Sequence, residues 1–393
     1  MKTVAVLGGG PAGASAAERL ARAGLRTVLV DEKLAWEKPC GGGLTYKAYE
    51  RYPFLLNNEA PKRFVRRTVL AAPAAGEVAM ALDRPLVIYS RLDLNNLLLK
   101  RAEDAGAQIE KTRVTEIRRE AGGWKLMTRH GALEADFCIV ATGARNALRE
   151  VGTDWTPSDT MSALGYYVPA GQEHIDIQFL PRLEGYIWVF PRCGHLSVGI
   201  CGKGESAQAL RQRLERYMDE RGISRKGSAF YSHVLPSLER PAWRKNRVAG
   251  DGWIAVGDAA GLVDPITGEG LYYAMRSADL ASQVVLDDRH APPAKESAYR
   301  SLLRGDFAED LEFGSTLAKR VFLGRFLYGS VPARMVQFMR RSPKFSALMQ
   351  DLFAGTQPYL GLKARLLRNL QPTLLEILTN LFLRRMVRQP AFE

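Results

Sequence analysis

Short apolar runs alternate with helical patterns in the first part of the chain and recur further along it. TVAVLG (3–8), TVLVDE (27–32) and FCIVATGA (137–144) have the continuous hydrophobic character of strands buried on both faces of a sheet. A helical pattern runs from Ala12 to about Ala23 and closes at Gly24, so the first two runs predict a βαβ unit. The run GWIAV (252–256) predicts one more buried strand, and a long helix is expected from about Gly270 to Asp287.

The middle of the chain shows a different pattern. GYIWVFP (185–191) alternates with period two, which places Tyr186, Trp188 and Phe190 on one face of a strand. HIDIQFL (174–180) and HLSVGICG (195–202) are expected beside it in an antiparallel sheet, and QALRQRLERYMDERG (208–222) is expected to be an amphipathic helix. Three large aromatic rings on one face are typical of ordinary core packing or of a cavity wall for a long apolar molecule.

A glycine fingerprint follows the first predicted strand directly. Gly8-x-Gly10-x-x-Gly13 lies between that strand and its helix, and the second strand ends in Asp31-Glu32. Gly8 permits a tight turn, Gly10 lets a pyrophosphate approach the backbone, and Gly13 lets the helix lie close to the strand. The helix N-terminus favours phosphate, and a terminal acid can accept hydrogen bonds from ribose hydroxyls. In this context we expect a dinucleotide site rather than a glycine-rich turn without a ligand.

Two later strand ends also carry candidate chemistry. The strand at 252–256 is followed by Gly257 and Asp258, at the sheet edge where open α/β sheets bind ligands. A carboxylate there can accept hydrogen bonds from sugar or ribityl hydroxyls. The run from Thr267 to Gly270 opens the next helix, so its free N–H groups can contact a polar ring edge.

Charge is concentrated towards the C-terminus. The formal net charge is +13, and the segment 313–393 contains 13 Lys and Arg against 3 Asp and Glu. Apolar clusters at 321–331 and 374–386 lie within the same segment. This mixture favours contact with an anionic membrane surface, or else it forms the solvated face of a helical cap. No nucleic-acid-binding signature accompanies the charge, so no nucleic-acid partner is expected.

The cysteines and the apolar runs narrow the class of protein. Cys40, Cys138, Cys193 and Cys201 form no CxxC pair, which predicts reduced thiols, a cytoplasmic setting and no metal site. No apolar run approaches the roughly 18–20 residues that span a bilayer. The glycines from Gly8 onward break the N-terminal apolar stretch, so no secretory signal is expected.

GGGPAG (8–13), ATGA (141–144) and GDAAGLVDPITGEG (257–270) together resemble the p-hydroxybenzoate hydroxylase-type flavoproteins. The resemblance implies FAD, with its pyrophosphate at the first motif, its adenosine ribose at Glu32 and its isoalloxazine beside the third motif. Arg91 and Val114 match the arginine near the flavin and the backbone contact to adenine. The full cofactor-binding set that we predict is Gly8, Gly10, Pro11, Ala12, Gly13, Glu32, Lys33, Cys40, Gly41, Arg91, Val114, Ala141, Gly143, Asp258, Gly268, Glu269 and Gly270.

Two further motifs resemble the geranylgeranyl reductase family. Its YxWxFP signature is matched by Tyr186, Trp188 and Phe190-Pro191, and its early Cys-Gly-Gly segment by KPCGGG (38–43). The resemblance implies reduction of isolated double bonds in a prenyl lipid or quinone side chain, by hydride from N5 of reduced flavin together with a proton. Cys40, Tyr186 and Trp188 are the candidate catalytic residues, and Tyr186, Trp188 and Phe190 are the candidate substrate-binding residues.

A flavin-dependent monooxygenase or halogenase is the alternative, because these enzymes can use the same fold. Halogenases carry a related Trp-containing strand motif, with a Trp and an Ile-Pro where this chain has Tyr186 and Phe190-Pro191. A flavoprotein that only binds ligands or carries electrons is a third possibility. No second GxGxxG domain is present, so NAD(P)H would bind transiently or a reduced carrier protein would supply the electrons.

The predicted fold class is α/β: a Rossmann-like FAD-binding domain, an antiparallel β-sheet substrate domain and a helical C-terminal region. We assign 1–60, 85–155 and 240–300 to the FAD-binding domain, 61–84 and 156–239 to the substrate domain, and 301–393 to the helical region. The expected location is cytoplasmic with peripheral membrane contact.

Overall fold

The computed structural model describes residues 2–148, 150–287 and 292–368. The apolar and basic segment 374–386, part of the predicted membrane-contacting tail, therefore lies outside the described residues. Within them, the two largest sheets have six and eight strands. The glycine fingerprint follows a strand of the first sheet, and the aromatic strand belongs to the second.

The strands follow the predicted apolar runs closely, and several more are formed between them. In chain order they are β1 Thr3–Leu7, β2 Arg26–Val30, β3 Gly43–Leu44, β4 Lys62–Ala72, β5 Gly76–Tyr89, β6 Gln108–Glu110, β7 Val114–Glu120, β8 Gly123–Thr128, β9 Gly131–Ala135, β10 Phe137–Val140, β11 Thr160–Val168, β12 Ile175–Phe179, β13 Glu184–Pro191, β14 Leu196–Lys203, β15 Ala229–Pro236, β16 Ala249–Gly250, β17 Trp253–Ala255, β18 Arg325–Phe326 and β19 Gly329–Ser330.

The helices include the three that the sequence predicts with defined ends. In chain order they are α1 Pro11–Arg22, α2 Tyr46–Arg51, α3 Arg91–Asp104, α4 Ala207–Glu220, α5 Arg240–Lys245, α6 Leu271–Leu286, α7 Pro292–Leu303, α8 Glu309–Leu323, α9 Val331–Met339 and α10 Pro343–Ala354. A further helix begins at residue 359. Ser90, Ser206, Ser330 and Ser342 cap the N-termini of α3, α4, α9 and α10 by accepting a backbone hydrogen bond.

The six-stranded sheet has the order β16-β17-β10-β1-β2-β6 and is parallel except for the β16–β17 pair. Its central strands are buried along nearly their whole length, as the continuous apolar runs predict. Helix α1 packs on it, α3 and α6 pack on α1, and buried residues of all three helices share one hydrophobic core with the sheet. The carboxyl ends of β1, β10 and β17 lie side by side, so the three loops that follow them open on one edge of the sheet.

The eight-stranded sheet has the order β15-β11-β14-β13-β12-β4-β5-β3, antiparallel except for the β4–β12 pair. β13 lies between β12 and β14, so the expected neighbours of the aromatic strand are confirmed. One face of the sheet packs on α4 through Leu210 and Leu214. The other face carries Trp188 and packs against α8, α9 and α10.

In its described residues, 301–368, the C-terminal region departs from a purely helical segment between α8 and α9. α8 ends at Leu323, β18 and β19 form a two-stranded hairpin, and α9 begins at Val331 with Pro332 in its first turn. Tyr359 anchors the last described helix to the rest, because its hydroxyl donates to the buried carboxylate of Asp264 at 2.9 Å. The boundaries assigned to the three domains stay a prediction.

Candidate active site

A single cavity of about 1380 Å³ runs from the carboxyl edge of the six-stranded sheet to the C-terminal helices. One end, which we call the cofactor arm, is lined by the loops after β1, β10 and β17. The other end, the apolar arm, is lined by side chains of α8, α9, α10 and the helix that follows them. Tyr186, Trp188 and Phe190 of the aromatic strand β13 line the cavity. Phe190 packs on Gly41 and Gly43, and Tyr186 stacks on Phe322 of α8, so the strand lies between the two arms. We call this place the junction.

The glycine fingerprint has the geometry that its sequence predicts. Gly8 has φ +115°, and a Cβ placed on it would lie 2.3 Å from the carbonyl oxygen of Ala141. A Cβ on Gly13 would lie 1.8 Å from the carbonyl oxygen of Gly8, so helix α1 approaches β1 as closely as glycine allows. Gly10 has no atom within 4 Å of its Cβ position and faces the cavity. Gly8 and Gly13 therefore shape the turn, and Gly10 leaves room for a ligand.

The two acids after β2 differ in what they contact. The carboxylate of Asp31 accepts backbone hydrogen bonds from Gly9, Lys33 and Leu34, each at 2.7 Å. Glu32 instead is partly exposed to solvent, and its carboxylate lies 3.9 Å from the guanidinium of Arg113. Asp31 therefore fixes the loop, and Glu32 keeps a carboxylate that can accept hydrogen bonds from a ribose.

The predicted cofactor residues divide into two groups by position. Those that line the cavity are Gly10, Pro11, Ala12, Cys40, Gly41, Arg91, Ala141, Gly143, Asp258, Gly268, Glu269 and Gly270. Those outside its lining are Gly8, Gly13, Glu32, Lys33 and Val114. The ammonium of Lys33 lies 4.4 Å from the ring centroid of Trp36, and Val114 begins the separate three-stranded sheet β7-β8-β9.

Asp258 is held as a carboxylate by an ion pair across the cofactor arm. Lys38 donates to it at 3.1 Å. Burial raises the pKa of Asp258, but the charge and hydrogen bond of Lys38 outweigh it and lower the pKa below its usual value. Burial and the same lysine lower the pKa of the nearby His233 to about 4, so its imidazole is neutral at pH 7. Sequence reasoning missed Lys38 as a site residue, although it begins the KPCGGG motif.

The Cys40 loop is fixed by a buried arginine that sequence reasoning also missed. Arg192 is fully buried, pairs with Glu37 and donates to the carbonyl oxygen of Cys40, which also accepts from Ser197 at 3.0 Å. Glu37 in turn caps α3 by accepting from Ser90 at 2.7 Å and from the Arg91 N–H at 2.9 Å. The signal in the sequence was a charged residue directly after the YxWxFP motif.

The Cys40 thiol lies among positive charges. Burial raises its pKa, but the guanidinium groups of Arg91 and Arg192, the Gly42 N–H and Lys38 together lower the pKa below its ordinary value. The Gly42 N–H donates to the sulfur at 3.3 Å. This environment favours loss of the thiol proton more than that of an ordinary buried cysteine such as Cys138, whose pKa is raised by burial.

The three aromatic residues of β13 line the cavity and are also tightly packed. A Cβ on Gly199 would lie 2.2 Å from the indole of Trp188, so the ring lies flat on a glycine of β14. Phe190 packs on Gly41 and Gly43, whose Cβ positions lie 3.2 and 2.9 Å from its ring. This face therefore belongs both to the packed core and to the lining of the cavity, and its role in binding an apolar molecule stays a prediction.

Tyr186 is fixed to the loop that precedes α6. Its hydroxyl donates to the carbonyl oxygen of Thr267, next to Gly268. Burial, with smaller contributions from Cys201, Asp264 and Cys40, raises the pKa of Tyr186 well above its usual value. The phenol thus keeps its proton and holds the 267–270 loop against the aromatic strand.

Glu269 titrates near neutrality in the same loop. Burial and the neighbouring Asp264 raise its pKa to about 7, although Lys47 and a hydrogen bond from Thr45 at 3.2 Å oppose the shift. Glu269 lines the cavity.

The apolar arm is built from residues far apart in sequence. It is lined by a set of aliphatic, thioether and aromatic side chains: Val321, Phe326, Met335, Phe338, Phe345, Leu348, Met349, Leu352, Phe353, Leu362, Leu366 and Leu367. Basic residues Lys47, Arg320, Arg325 and Arg334 are interspersed among them. Such a surface suits a long apolar molecule with an anionic or polar end.

The cofactor arm fits an FAD. Gly10 leaves open space at the N-terminus of α1, where phosphates are favoured. The Arg91 Nε and His233 Nε2 atoms are buried and have no protein partner among the described residues, and both side chains line the cavity. These are unsatisfied donors and acceptors of the kind that a bound cofactor would satisfy.

Two family models match the chain. A pyridine nucleotide-disulphide oxidoreductase model matches residues 2–153, and an FAD-dependent oxidoreductase model matches residues 88–276. The geranylgeranyl diphosphate reductase of Synechocystis is 29% identical over 317 residues, which cover 72% of this chain and 75% of the relative. The chain is an FAD-dependent oxidoreductase homologous to the geranylgeranyl reductases. A menaquinone reductase of Mycobacterium tuberculosis is also 29% identical, over 84% of this chain and 87% of the relative.

A solved structure shares the fold of this chain over nearly its whole length. It is a geranylgeranyl bacteriochlorophyll reductase-like protein from Thermoplasma acidophilum, with a TM-score of 0.75 and 21% identity, and the match covers 93% of this chain and 99% of that one. Flavin-dependent halogenases share the fold as well. The predicted fold class, the FAD cofactor and the oxidoreductase class are therefore confirmed.

Among residues 2–148, 150–287 and 292–368, no helix is both long enough and apolar enough to cross a bilayer.

Proposed function

We propose that this chain is an FAD-dependent reductase that saturates isolated double bonds of a prenyl chain carried by a lipid or a quinone. The observation that supports this most strongly is the continuity of the cavity. Gly268 to Gly270 of the cofactor arm, Trp188 of the aromatic strand, and Leu352 and Phe353 of the apolar arm all line one and the same cavity.

The named relatives support the same substrate class. Two of them are a geranylgeranyl diphosphate reductase and a menaquinone reductase, and a third is a digeranylgeranylglycerophospholipid reductase of Methanothermobacter thermautotrophicus. Their names share a prenyl chain and differ in what the chain is attached to. The shared prenyl chain would bind in the apolar arm. The headgroup would then be selected by the basic residues Arg320, Arg325 and Arg334 that line it.

Reduction of an isolated alkene needs a hydride at one carbon and a proton at the other. When bound, reduced FAD supplies the hydride. The apolar side chains around the junction exclude water and orient the chain so that one double bond lies at the meeting point of the two arms. Trp188 and Phe190 form one wall there because glycines Gly41, Gly43 and Gly199 let their rings lie close to the backbone.

Cys40 is the better proton donor of the two candidates at the junction. The Tyr186 hydroxyl is committed to the Thr267 carbonyl and its pKa is raised, so it loses its proton reluctantly. The pKa of Cys40 is lowered by Arg91, Arg192 and Lys38 despite its burial. The thiol would donate its proton to the alkene carbon, and solvent would restore the proton to the thiolate. Tyr186 and Trp188 are then positioning residues.

The electron donor and the membrane contact complete the proposal. Either NAD(P)H or a reduced carrier protein would reduce the flavin. The prenyl substrate would reach the apolar arm from a membrane surface, because such lipids reside in the bilayer.

Product analysis tests the proposal. The purified chain is loaded with FAD, reduced anaerobically with dithionite and mixed with detergent-dispersed geranylgeranyl lipid, and the products are weighed by mass spectrometry. We expect a gain of two hydrogen atoms for each double bond saturated. Products that appear only after oxygen is added, and that carry a hydroxyl or a halogen, would instead establish the monooxygenase or halogenase alternative.

A further inference from the structure

The hairpin between α8 and α9 presents an apolar tip to solvent. The tip, which we define as Phe326, Leu327 and Tyr328, has exposed fractions of 45%, 51% and 98%. Leu323, the last residue of α8 and two positions before the hairpin, is exposed to a similar degree. Single exposed apolar residues are common on soluble proteins, but four within six positions form a patch of the kind that marks an interaction site.

The turn at the tip is strained, and its residues are unusual. The register pairs Arg325 with Ser330 and Phe326 with Gly329, so the loop is the two residues Leu327 and Tyr328. Their φ angles are +47° and +62°, a conformation that type I′ turns usually fill with Asn-Gly. A leucine and a tyrosine are strained in such a turn, whereas Asn and Gly adopt positive φ readily. Stability alone does not account for two large apolar side chains at this position.

The hairpin lies at the open end of the apolar arm. Gly324, Arg325 and Phe326 line the cavity, and so do the partly exposed Leu366 and Leu367 of the last described helix. The apolar surface is therefore continuous from the exposed tip, past Phe326, into the arm that we propose holds the prenyl chain.

Positive charge surrounds the tip. Arg320 and Arg325 are exposed beside it. Arg334 supports it from behind, donating to the carbonyl oxygen of Phe326 at 3.2 Å and to that of Leu327. The segment 319–334 contains no Asp or Glu. An apolar tip ringed by arginines matches a bilayer whose headgroups are anionic, because the side chains would enter the interface while the guanidinium groups meet phosphates.

We propose that the hairpin tip inserts into the interface of an anionic lipid bilayer, so that the cavity opens onto the membrane and takes its apolar substrate directly from it. The docking itself is independent of the chemistry. The transfer of a prenyl substrate rests on the proposed function.

Vesicle sedimentation tests the docking. The FAD-loaded full chain is spun with vesicles of phosphatidylcholine alone and of phosphatidylcholine with about one third phosphatidylglycerol. The double variant Leu327→Asn/Tyr328→Gly keeps the turn, because these residues favour positive φ, and removes the two apolar side chains. We expect the wild type to bind the anionic vesicles, the double variant to bind them at least tenfold more weakly, and its melting temperature to stay the same or rise.

The matched control is Phe230→Asn. Phe230 is as exposed as Phe326, at 46%, but lies on β15 beside Tyr166, on the face of the sheet that carries α4. This variant should bind vesicles as the wild type does. The pair Arg320→Gln/Arg325→Gln should bind both vesicle types equally, since the preference for anionic lipid would be lost.

Two results would overturn the proposal. One is unchanged vesicle binding by the Leu327→Asn/Tyr328→Gly variant, which would place any membrane contact elsewhere in the chain. The other is a wild type that ignores vesicles and forms a dimer that the double variant does not form, which would make the tip an interface between two copies. Vesicle binding without reduction of detergent-dispersed substrate would leave the docking in place and remove the proposed function.

Discussion

The two arms of the cavity are built on different principles. In the cofactor arm, backbone groups and charged pairs set the shape: Gly8 and Gly13 permit contacts that a Cβ would block, and Lys38 pairs with Asp258. In the apolar arm, flexible side chains such as Met335 and Met349 set the shape, and few polar groups fix a ligand's position. The first arm recognises one cofactor, and the second tolerates chains that differ in length and headgroup.

The largest effect is expected at Arg192, the buried arginine that fixes the Cys40 loop. Arg192→Met removes the ion-pair partner of Glu37 and the donor to the Cys40 carbonyl oxygen, while Glu37 keeps its hydrogen bonds from Ser90 and the Arg91 N–H. We expect a loss of about 3 kcal/mol in the free energy of unfolding, because a largely buried carboxylate loses its opposite charge. Thermal denaturation and the amount of bound flavin measure this effect.

The control is the double variant Arg192→Met/Glu37→Gln. It removes both charges, so most of the lost stability should return. If the single and double variants melt at the same temperature, the ion pair does not organise the loop.

Alanine substitutions at Gly10 and Gly13 should affect different properties, FAD affinity in the first case and stability in the second. Gly13→Ala places a methyl group 1.8 Å from the Gly8 carbonyl oxygen, so it should destabilise the flavin-free protein. Gly10→Ala meets no atom within 4 Å, so that protein should melt normally. It should nevertheless bind FAD about 100-fold more weakly, because the methyl group occupies the space of the pyrophosphate. Normal FAD affinity in Gly10→Ala, measured by flavin fluorescence titration, would contradict the placement of the cofactor.

Cys40→Ala should slow the reduction of the alkene about 100-fold if the thiol is the general acid. The protonated thiol is the active form, so wild-type turnover should fall as pH rises through a pKa below that of an ordinary thiol. The variant should lose this limb of the pH profile. Turnover of prenyl substrate with pre-reduced enzyme provides the measurement, and Cys40→Ser provides the comparison. Unchanged rates in both variants would remove Cys40 from the mechanism.

A larger side chain in the apolar arm should reduce the length of prenyl chain that the cavity accepts. Leu352 lines it and is only partly buried, so Leu352→Trp narrows the arm without overpacking the core. We expect turnover of a geranylgeranyl lipid to fall about tenfold while a short prenyl alcohol is reduced normally, an asymmetry of about 1.4 kcal/mol. Leu352→Met, which conserves volume, is the control. Equal losses for long and short substrates would show that the chain does not extend past this residue.

Glu269 gives the smallest expected effect. Its pKa of about 7 lies above the usual 4.5, so the folded state holds the proton more tightly than the unfolded state does. The associated stability is present below pH 4.5 and is lost as pH rises through 7. The difference between pKa values of 7 and 4.5 corresponds to at most about 3 kcal/mol, and solvent screening of the half-buried side chain lowers this value. In flavin-free protein, Glu269→Gln should therefore gain about 1 kcal/mol in stability relative to the wild type between the low and the high end of this window. If the difference in melting temperature between Glu269→Gln and the wild type is the same at both ends of the window, Glu269 does not have a raised pKa.

The turn at the glycine fingerprint could be predicted from the sequence because its determinants are local, and the assignment of the surrounding residues to the cofactor stays a prediction. Gly8, Gly10 and Gly13 act within one turn of backbone, and the acid after β17 is placed by the strand that precedes it. The predicted sheet neighbours of the aromatic strand were also correct, because period-two alternation fixes which residues share a face.

The rest could not be read from the sequence because it depends on contacts between distant segments. Arg192 meets Glu37 and Cys40 across more than 150 positions. Asp264 meets Tyr359 across 95 positions. The hairpin at 325–330 could not be predicted from its composition, because Leu327 and Tyr328 are residues that rarely form a type I′ turn.

The central claim is that the two arms form one reaction chamber, with the flavin edge in contact with the prenyl chain. Anaerobic stopped-flow absorbance tests it most directly, by mixing the reduced, FAD-loaded protein with a geranylgeranyl lipid or with its fully saturated counterpart. The account predicts that the oxidised flavin spectrum returns with the unsaturated lipid only. Flavin that stays reduced with both lipids and is reoxidised only by oxygen would contradict it.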